Sequence, residues 1–315
     1  MIKNKDIFHN LVYQETVIEI LNQSIKKNRI APAYLFKGPK GVGQKEIALR
    51  FFEGILNKYS QDGNTRDLLE KGNHPDLYLI EPTYLNKGKL IKQSDAQKEN
   101  FFSKSAPQIR IEQIKELKNF INKKPIKSEF NMVIIEDVEK LNESAGNALL
   151  KTIEEPLNGI LILISSRPEN LLETIISRCQ KINFKPLSTK ILTTEFLDGK
   201  EYKNKKEILS LSNGSPEILN KTLEYLKNIP GSILTQTTVP PEDKLQALYL
   251  AKAISEELNL ENQIWLIGWM QQNLWSKEFN SSIIRRLEKL KIHLNSNINQ
   301  RIAWEIGLIE LSKKK

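Results

Sequence analysis

The residues with the clearest chemical meaning lie in "YLFKGPKGVGQKEIALRF" (34–51), an apolar run followed by a glycine-rich turn and a helical pattern. Gly38 and Gly43 keep the spacing of the phosphate loop G-x-x-x-x-G-K-[ST], in which backbone N–H groups close on phosphate oxygens at a helix N-terminus. In that motif the lysine neutralises the β- and γ-phosphates, and the Ser/Thr hydroxyl ligates Mg²⁺. Gly38, Gly41 and Gly43 retain the backbone part, but Gln44 stands at the lysine position and Lys45 at the hydroxyl position. Lys45 does not simply replace the lost cation, because adjacent helical residues project about 100° apart. The stretch is therefore a degenerate phosphate loop with weak or no nucleotide binding, or a glycine turn with no nucleotide history. Taken alone, it leaves both open.

A second candidate constellation is "NMVIIED" (131–137), where an apolar strand ends in Glu136 and Asp137. Acids at the C-terminal edge of a strand sit where open α/β sheets keep their chemistry. ATPases of this plan place Asp before Glu, the first for the Mg²⁺ sphere and the second to activate water. The reversed order makes one side chain a methylene too long and the other a methylene too short. Mg²⁺ demands near-ideal octahedral geometry, and catalysis tolerates little misplacement. Two solvated acids capping a strand are the alternative reading.

Elements that position these residues can be read from periodicity. Residues 15–28 place Val17, Ile18, Leu21 and Ile25 on one helical face, and 109–122 do so with Ile111, Ile114, Leu117 and Ile121. "AYLF", "PDLYLIEP" (75–82), "NMVIIED" and "GILILISS" (159–166) are short, β-branched and apolar, and read as buried strands. Strands alternating with helices imply a parallel sheet covered on both faces. Residues 83–105 are polar and lysine-rich without a clear period, and read as a loop or insertion. Beyond Pro186 the pattern turns helical, with 229–243 reading as a Pro/Thr/Gly-rich linker. Trp265, Trp269 and Trp304 fall on apolar faces, which suits core or interface anchors better than base-stacking platforms.

The chain has 315 residues, 39% of them hydrophobic and 27% charged, with 47 Lys+Arg against 38 Asp+Glu, a net charge of +9. That excess favours polyanions such as nucleic acid, yet apart from small clusters such as "KNKK" (203–206) and the terminal "KKK" it is diffuse. No apolar run approaches the roughly 20 residues needed to span a bilayer, and the N-terminus shows no signal-peptide pattern, so a cytoplasmic location is expected. A single cysteine, Cys179, excludes an internal disulfide and a multi-cysteine zinc site.

At "IIEDVEKLNESAGNALLKTIEEP" (134–156) the sequence resembles the clamp-loader branch of the AAA+ superfamily, most of all the delta-prime family of bacterial DNA polymerase III subunits. The run from Asn147 to Pro156 carries the resemblance, with "FHNLVYQETVIEIL", "RIAPAYLFKGPKGVG", "NHPDLYLIEP", "LLETIISRC" and "NSNINQRIAWEIGLIEL" in the expected order. It spans most of the chain, and departs from the usual pattern at Tyr13, where Gly is usual, and at Pro32, where His is usual.

The resemblance implies an α/β AAA+ P-loop-type parallel-sheet domain (1–185, with the polar insertion at 83–105), a small helical lid (186–234) and an all-α collar (235–315). It implies that Arg178, in the triplet Ser177-Arg178-Cys179, is an arginine finger offered in trans to ATP on a neighbouring subunit. Cys179 itself reads as a packing residue, since no histidine lies near it in sequence. Residues 52–76 lack the cysteines of the zinc module that many relatives carry, so no metal is expected. Glu217 stands where hydrolysing relatives place a phosphate-sensing arginine, and Ser166 falls about where a polar sensor sits. The expected role is a non-hydrolysing loader subunit in DNA replication that requires no cofactor of its own. Its partners would be ATP- and Mg-bearing motor subunits, the delta subunit, the sliding clamp and primed DNA. The alternatives are an active ATPase motor subunit and a stand-alone basic DNA-binding protein.

Overall fold

The computed structural model describes residues 7–8, 11, 13–57, 64–98, 105–197, 202, 204–278, 281–296 and 298–312. Lys203 and the terminal lysines lie outside them, as do residues 99–104 of the expected insertion. The chain forms two compact units, Met1–Pro186 and Leu187–Lys315.

The first unit runs α1 (Glu15–Lys26), β1 (Ala33–Lys37), α2 (Gln44–Leu56), α3 (Thr65–Glu70), β2 (Leu77–Ile80), β3 (Thr83–Asn86), β4 (Lys89–Lys92) and α4 (Gln93–Lys98). It continues through α5 (Ile111–Ile121), β5 (Asn131–Ile135), α6 (Glu143–Glu154), β6 (Gly159–Ser165), α7 (Glu173–Arg178) and β7 (Gln180–Asn183). Five strands form one sheet in the order β2-β5-β6-β1-β7, with every pairing parallel. The expected P-loop-type α/β sheet is what the chain forms.

The apolar runs are split by the two-residue period of a strand. Tyr34, Phe36, Met132, Ile134, Ile160 and Ile162 enter one core, against α1 and α2. Ala33, Leu35, Val133, Ile135, Leu161 and Leu163 enter the other, against α5, α6 and α7. Helices on both faces explain why these strands read as continuous apolar runs rather than as alternating ones.

Residues 83–98 correct the sequence reading. They form an antiparallel hairpin, β3 with β4, followed by α4, rather than a loop. The turn residues Lys87 and Gly88 have φ of +47° and +80°, the signs that a two-residue type I′ hairpin turn requires. Most of the ribbon is exposed, so it carries no core-facing alternation for a period test to detect.

The second unit begins with a short helix α8 (Thr189–Ile191) that runs into a π-helical turn at Leu192–Phe196. It continues through α9 (Lys205–Ser212), α10 (Pro216–Asn228), α11 (Gly231–Gln236), α12 (Lys244–Glu257), α13 (Leu260–Glu278), α14 (Ser281–Asn295) and α15 (Gln300–Leu311). Helices expected for the lid and for the collar share this unit, and α9 packs against α13. Within the expected linker at 229–243, Gly231–Gln236 form helix α11, in which Ile233 is buried, and the flanking Ile229 and Thr237 are buried as well. The helix's six residues are too few to show a helical period. Trp269 and Trp304 are fully buried, and the Trp304 indole N–H donates to Gln263 Oε1 at 2.9 Å. They are core residues, as their apolar faces predicted.

Candidate functional site

The glycine turn follows β1, and the Gly38 N–H donates to Ser165 O at the end of β6 at 3.2 Å. Gly41 and Gly43 have φ of +75° and +96°, conformations that glycine adopts without penalty. A Cβ on Gly38 would meet the Phe184 carbonyl oxygen at 2.4 Å, so the backbone of β7's extension closes on the loop. Gly43 caps α2, and a Cβ there would lie 3.0 Å from the ring of Tyr13. Beside Tyr13, buried Gln14 donates to Lys185 O at 2.8 Å and to Val42 O at 3.4 Å, and its Oε1 accepts the Lys185 N–H. The segment before α1 is thereby seated on the turn. Burial, reinforced by the charge of Glu46, pushes the Tyr13 hydroxyl above the ordinary phenol range.

Gln44 is 4% exposed. Its amide donates to Gly38 O at 3.2 Å and to Pro39 O at 2.8 Å. An amide N–H₂ has two donors, and both are spent on the loop's own carbonyls. The motif's cation is thus replaced by a neutral internal brace. The Lys45 ammonium lies 2.5 Å from Glu136 Oε1, across β6 from its own strand.

Asp137 holds two further lysines: Lys40 Nζ at 3.0 Å and Lys140 Nζ at 2.8 Å from Oδ2. It sits in the left-handed region at φ 48°, which Asp tolerates better than most residues. Burial raises its carboxyl, but the hydrogen bond from Lys140 and the charges of Lys40 and Lys140 outweigh that, holding it below the usual carboxylate value. Three ammonium groups of the chain therefore neutralise the acidic pair that the sequence singled out. Lys140, three residues from Asp137, was findable from spacing. Lys40, 97 residues away, was not.

Ser166 donates through its hydroxyl to Glu139 Oε1 at 2.7 Å and through its N–H at 3.2 Å. The sensor candidate is thus tied to a third acid after β5, one that sequence reasoning did not identify. Among the described residues no cluster of three His, Cys, Asp or Glu side chains suits a metal ion.

Arg178 is the last residue of α7, and the fold does not bring it to the glycine turn. Its guanidinium pairs with Glu154 at the end of α6 at 2.7 Å and donates to Thr174 O at 3.1 Å. Both side chains are roughly half exposed, at 41% and 48%. The "SRC" and "EEP" motifs therefore touch, a contact their 24-residue separation concealed. Cys179 is buried in the core beneath α6 and α7, and burial pushes its thiol up to about 11. A thiol so seldom ionised at neutral pH is a packing residue. Glu217, in the second unit, is exposed and pairs with Lys221 one turn on, at 2.9 Å.

The family described as DNA polymerase III, delta subunit, matches residues 13–188. The cyanobacterial DNA polymerase III delta prime C-terminal domain matches residues 188–311. The chain is 33% identical over 192 residues to the delta-prime subunit of Bacillus subtilis, covering 59% of this chain and 51% of that protein. With the Pseudomonas aeruginosa delta-prime subunit it shares 31% over 197 residues, 59% of this chain and 54% of that one. The chain thus spans about half the length of these two relatives. A gamma-subunit-related protein of DNA polymerase III from Thermotoga maritima has a similar fold, with a TM-score of 0.57 at 15% identity, covering 94% of this chain and 99% of that one. On these matches, which together run from residue 13 to residue 311, the chain belongs to the DNA polymerase III delta-prime family.

Proposed function

We propose that this chain is a clamp-loader subunit that does not hydrolyse ATP and that supplies Arg178 in trans to the ATP site of a neighbouring motor subunit. The observation that carries this reading is the internal neutralisation of the glycine-turn site. Gln44 braces the loop, while Lys45, Lys40 and Lys140 occupy the acids that would otherwise organise Mg²⁺ and water. The residues present do not fit a hydrolysing Mg-ATP site.

Arg178 has the opposite character. An exposed ion pair such as Arg178–Glu154 is worth about 0–1 kcal/mol, so moving its guanidinium to a stronger anion costs little. A planar, always-charged guanidinium stabilises charge developing on transferring phosphoryl oxygens, an effect of about 10³–10⁵ in rate in well-studied systems. The chain then needs no cofactor or zinc of its own, and ATP and Mg²⁺ belong to its neighbours. Its partners would be the motor subunits, the delta subunit, the sliding clamp and primed DNA. In the second unit, α12 leaves Leu245, Leu248 and Tyr249 exposed at helical spacing, and α15, packed beside it, leaves Ile302 and Ile306 exposed. These apolar stripes suit contact with further subunits.

The test is reconstitution with the other loader subunits. Arg178→Ala should leave assembly intact by gel filtration and lower ATP-dependent clamp loading at least about tenfold, a small part of the effect of such arginines. Unchanged loading overturns the finger assignment. The chain alone should show no ATP turnover above background, and a robust turnover abolished by Glu136→Gln overturns the non-hydrolysing assignment.

A further inference from the structure

The β3–β4 hairpin is firmly rooted and freely displayed. Thr83 exchanges backbone hydrogen bonds with Gln108 at 2.9 and 3.1 Å, and the Gln93 N–H donates to Pro82 O at 2.9 Å. The Glu81 carboxylate accepts from the Ser94 hydroxyl at 2.6 Å and from its N–H at 3.0 Å, while Gln113 donates to Glu81 O at 2.9 Å. Beyond that root, Leu85 and Leu90 face each other directly across the ladder, yet they are 52% and 40% exposed. Lys87, Lys89 and Lys92 are all exposed, and none makes an ion pair among the described residues. No acidic residue lies between Glu81 and Asp95. Alternation puts Lys92 on the face of the leucine pair, about 7 Å beyond Leu90, and Lys89 on the opposite face beside Asn86, while Lys87 stands in the turn between the strands.

We propose that this hairpin is a nucleic-acid-binding ribbon, with Lys87, Lys89 and Lys92 on the phosphodiester backbone of duplex DNA and the Leu85–Leu90 pair against sugars and base edges. A two-stranded ribbon has the width that the major groove admits. In that groove apolar side chains contact base edges such as the thymine methyl. Size decides against a protein partner. A stable protein interface buries about 800 Å² on each side, and two leucines bracketed by cations offer only a fraction of that. Phosphate contacts, by contrast, supply affinity through counterion release with a few cations. This assignment is independent of the role of Arg178.

The test is fluorescence anisotropy of the full chain with a labelled duplex carrying a single-stranded overhang, at salt from about 50 to 200 mM, the range over which phosphate contacts lose affinity. The wild-type chain should bind, with log Kd rising linearly in log salt. The combined Lys87→Gln, Lys89→Gln, Lys92→Gln variant should lower that slope by about 2.7, or 0.9 for each lost phosphate contact. Leu85→Ser with Leu90→Ser should weaken binding at an unchanged slope. Far-UV circular dichroism and thermal melts verify that both variants fold, and a single Lys89→Glu variant provides a second, less perturbing probe. The proposal is overturned by absence of wild-type binding at the lowest salt, or by an unchanged slope in the triple variant. It is equally overturned if the triple variant keeps DNA affinity but fails to assemble with the loader subunits, which would make the hairpin a protein-docking element.

Discussion

The glycine turn after β1 and the β3–β4 hairpin are both lysine-bearing, glycine-containing turns in the same unit, and they use their charges in opposite ways. At the first, Lys40, Lys45 and Lys140 are consumed by Asp137 and Glu136. At the second, Lys87, Lys89 and Lys92 project into solvent with no acid between Glu81 and Asp95. The difference teaches that a count of basic residues says little about anion binding. A cation paired with a mostly buried acid such as Asp137 must first be released, whereas one in an exposed pair, or in none among the described residues, is available at little cost. The +9 net charge thus includes cations held by the chain's own acids and exposed cations with no ion pair among the described residues.

The largest expected contrast separates the glycines of the two turns. Gly38→Ala drives a Cβ to 2.4 Å from the Phe184 carbonyl, a backbone clash that should cost at least about 3 kcal/mol. At the size of the first unit that is about 6–12 °C in Tm. Gly88→Ala meets nothing within 4 Å, so only the left-handed backbone at φ +80° is penalised, about 1–2 kcal/mol. Differential scanning calorimetry reads both, and equal losses would erase the distinction between a packed turn and an open one.

A smaller contrast is electrostatic. Asp137→Asn keeps a residue that tolerates the left-handed backbone but removes the charge shared by Lys40 and Lys140, and should cost about 1–2 kcal/mol after allowance for partial exposure. Lys89→Gln on the hairpin should stay within about 0.5 kcal/mol. Because the folded Asp137 value is depressed, its contribution is present above the ordinary aspartate value of 3.8 and is lost as pH falls through the lower folded value. The Tm gap between wild type and Asp137→Asn should therefore hold steady near neutral pH and close below about pH 4, which melts across a pH series would show. A gap that widens on acidification would mean that Asp137 is not held by its lysines.

The smallest expected effect is none. Restoring the motif's side chains by Gln44→Lys with Lys45→Thr should give no ATP turnover in a coupled assay, because Lys40 and Lys140 still hold Asp137 and the order of Glu136 and Asp137 is still reversed. Measurable turnover would show that the acidic order is harmless and that the lysines yield to Mg²⁺.

The candidate site was only partly legible. Gln44 and Lys45 could be seen to break a motif, because a motif is a statement about spacing. What they do instead could not be seen, because Gln44 bonds to Gly38 and Pro39 only once the turn is folded, and Lys45 finds Glu136 only across a third strand. Glu139 escaped notice because its partner Ser166 is 27 residues away, just past the end of β6. The hairpin was missed for a different reason. Its exposed leucines and lysines lack the one-sided burial that makes a strand visible in sequence.

By itself the sequence determined the parallel α/β unit, through β-branched apolar runs that can be satisfied only between two layers of helices. It also determined the helical character of the second half, the loss of the phosphate-loop side chains and the single cysteine. These are local properties, fixed by residue type and period. The tertiary structure alone decided which charges are spent and which are free. Pairing Lys40 with Asp137 or Arg178 with Glu154, and leaving Lys87, Lys89 and Lys92 without an ion pair among the described residues, depends on distances of a few ångströms between residues far apart in the chain. Coulombic and hydrogen-bond energies fall away over that same range.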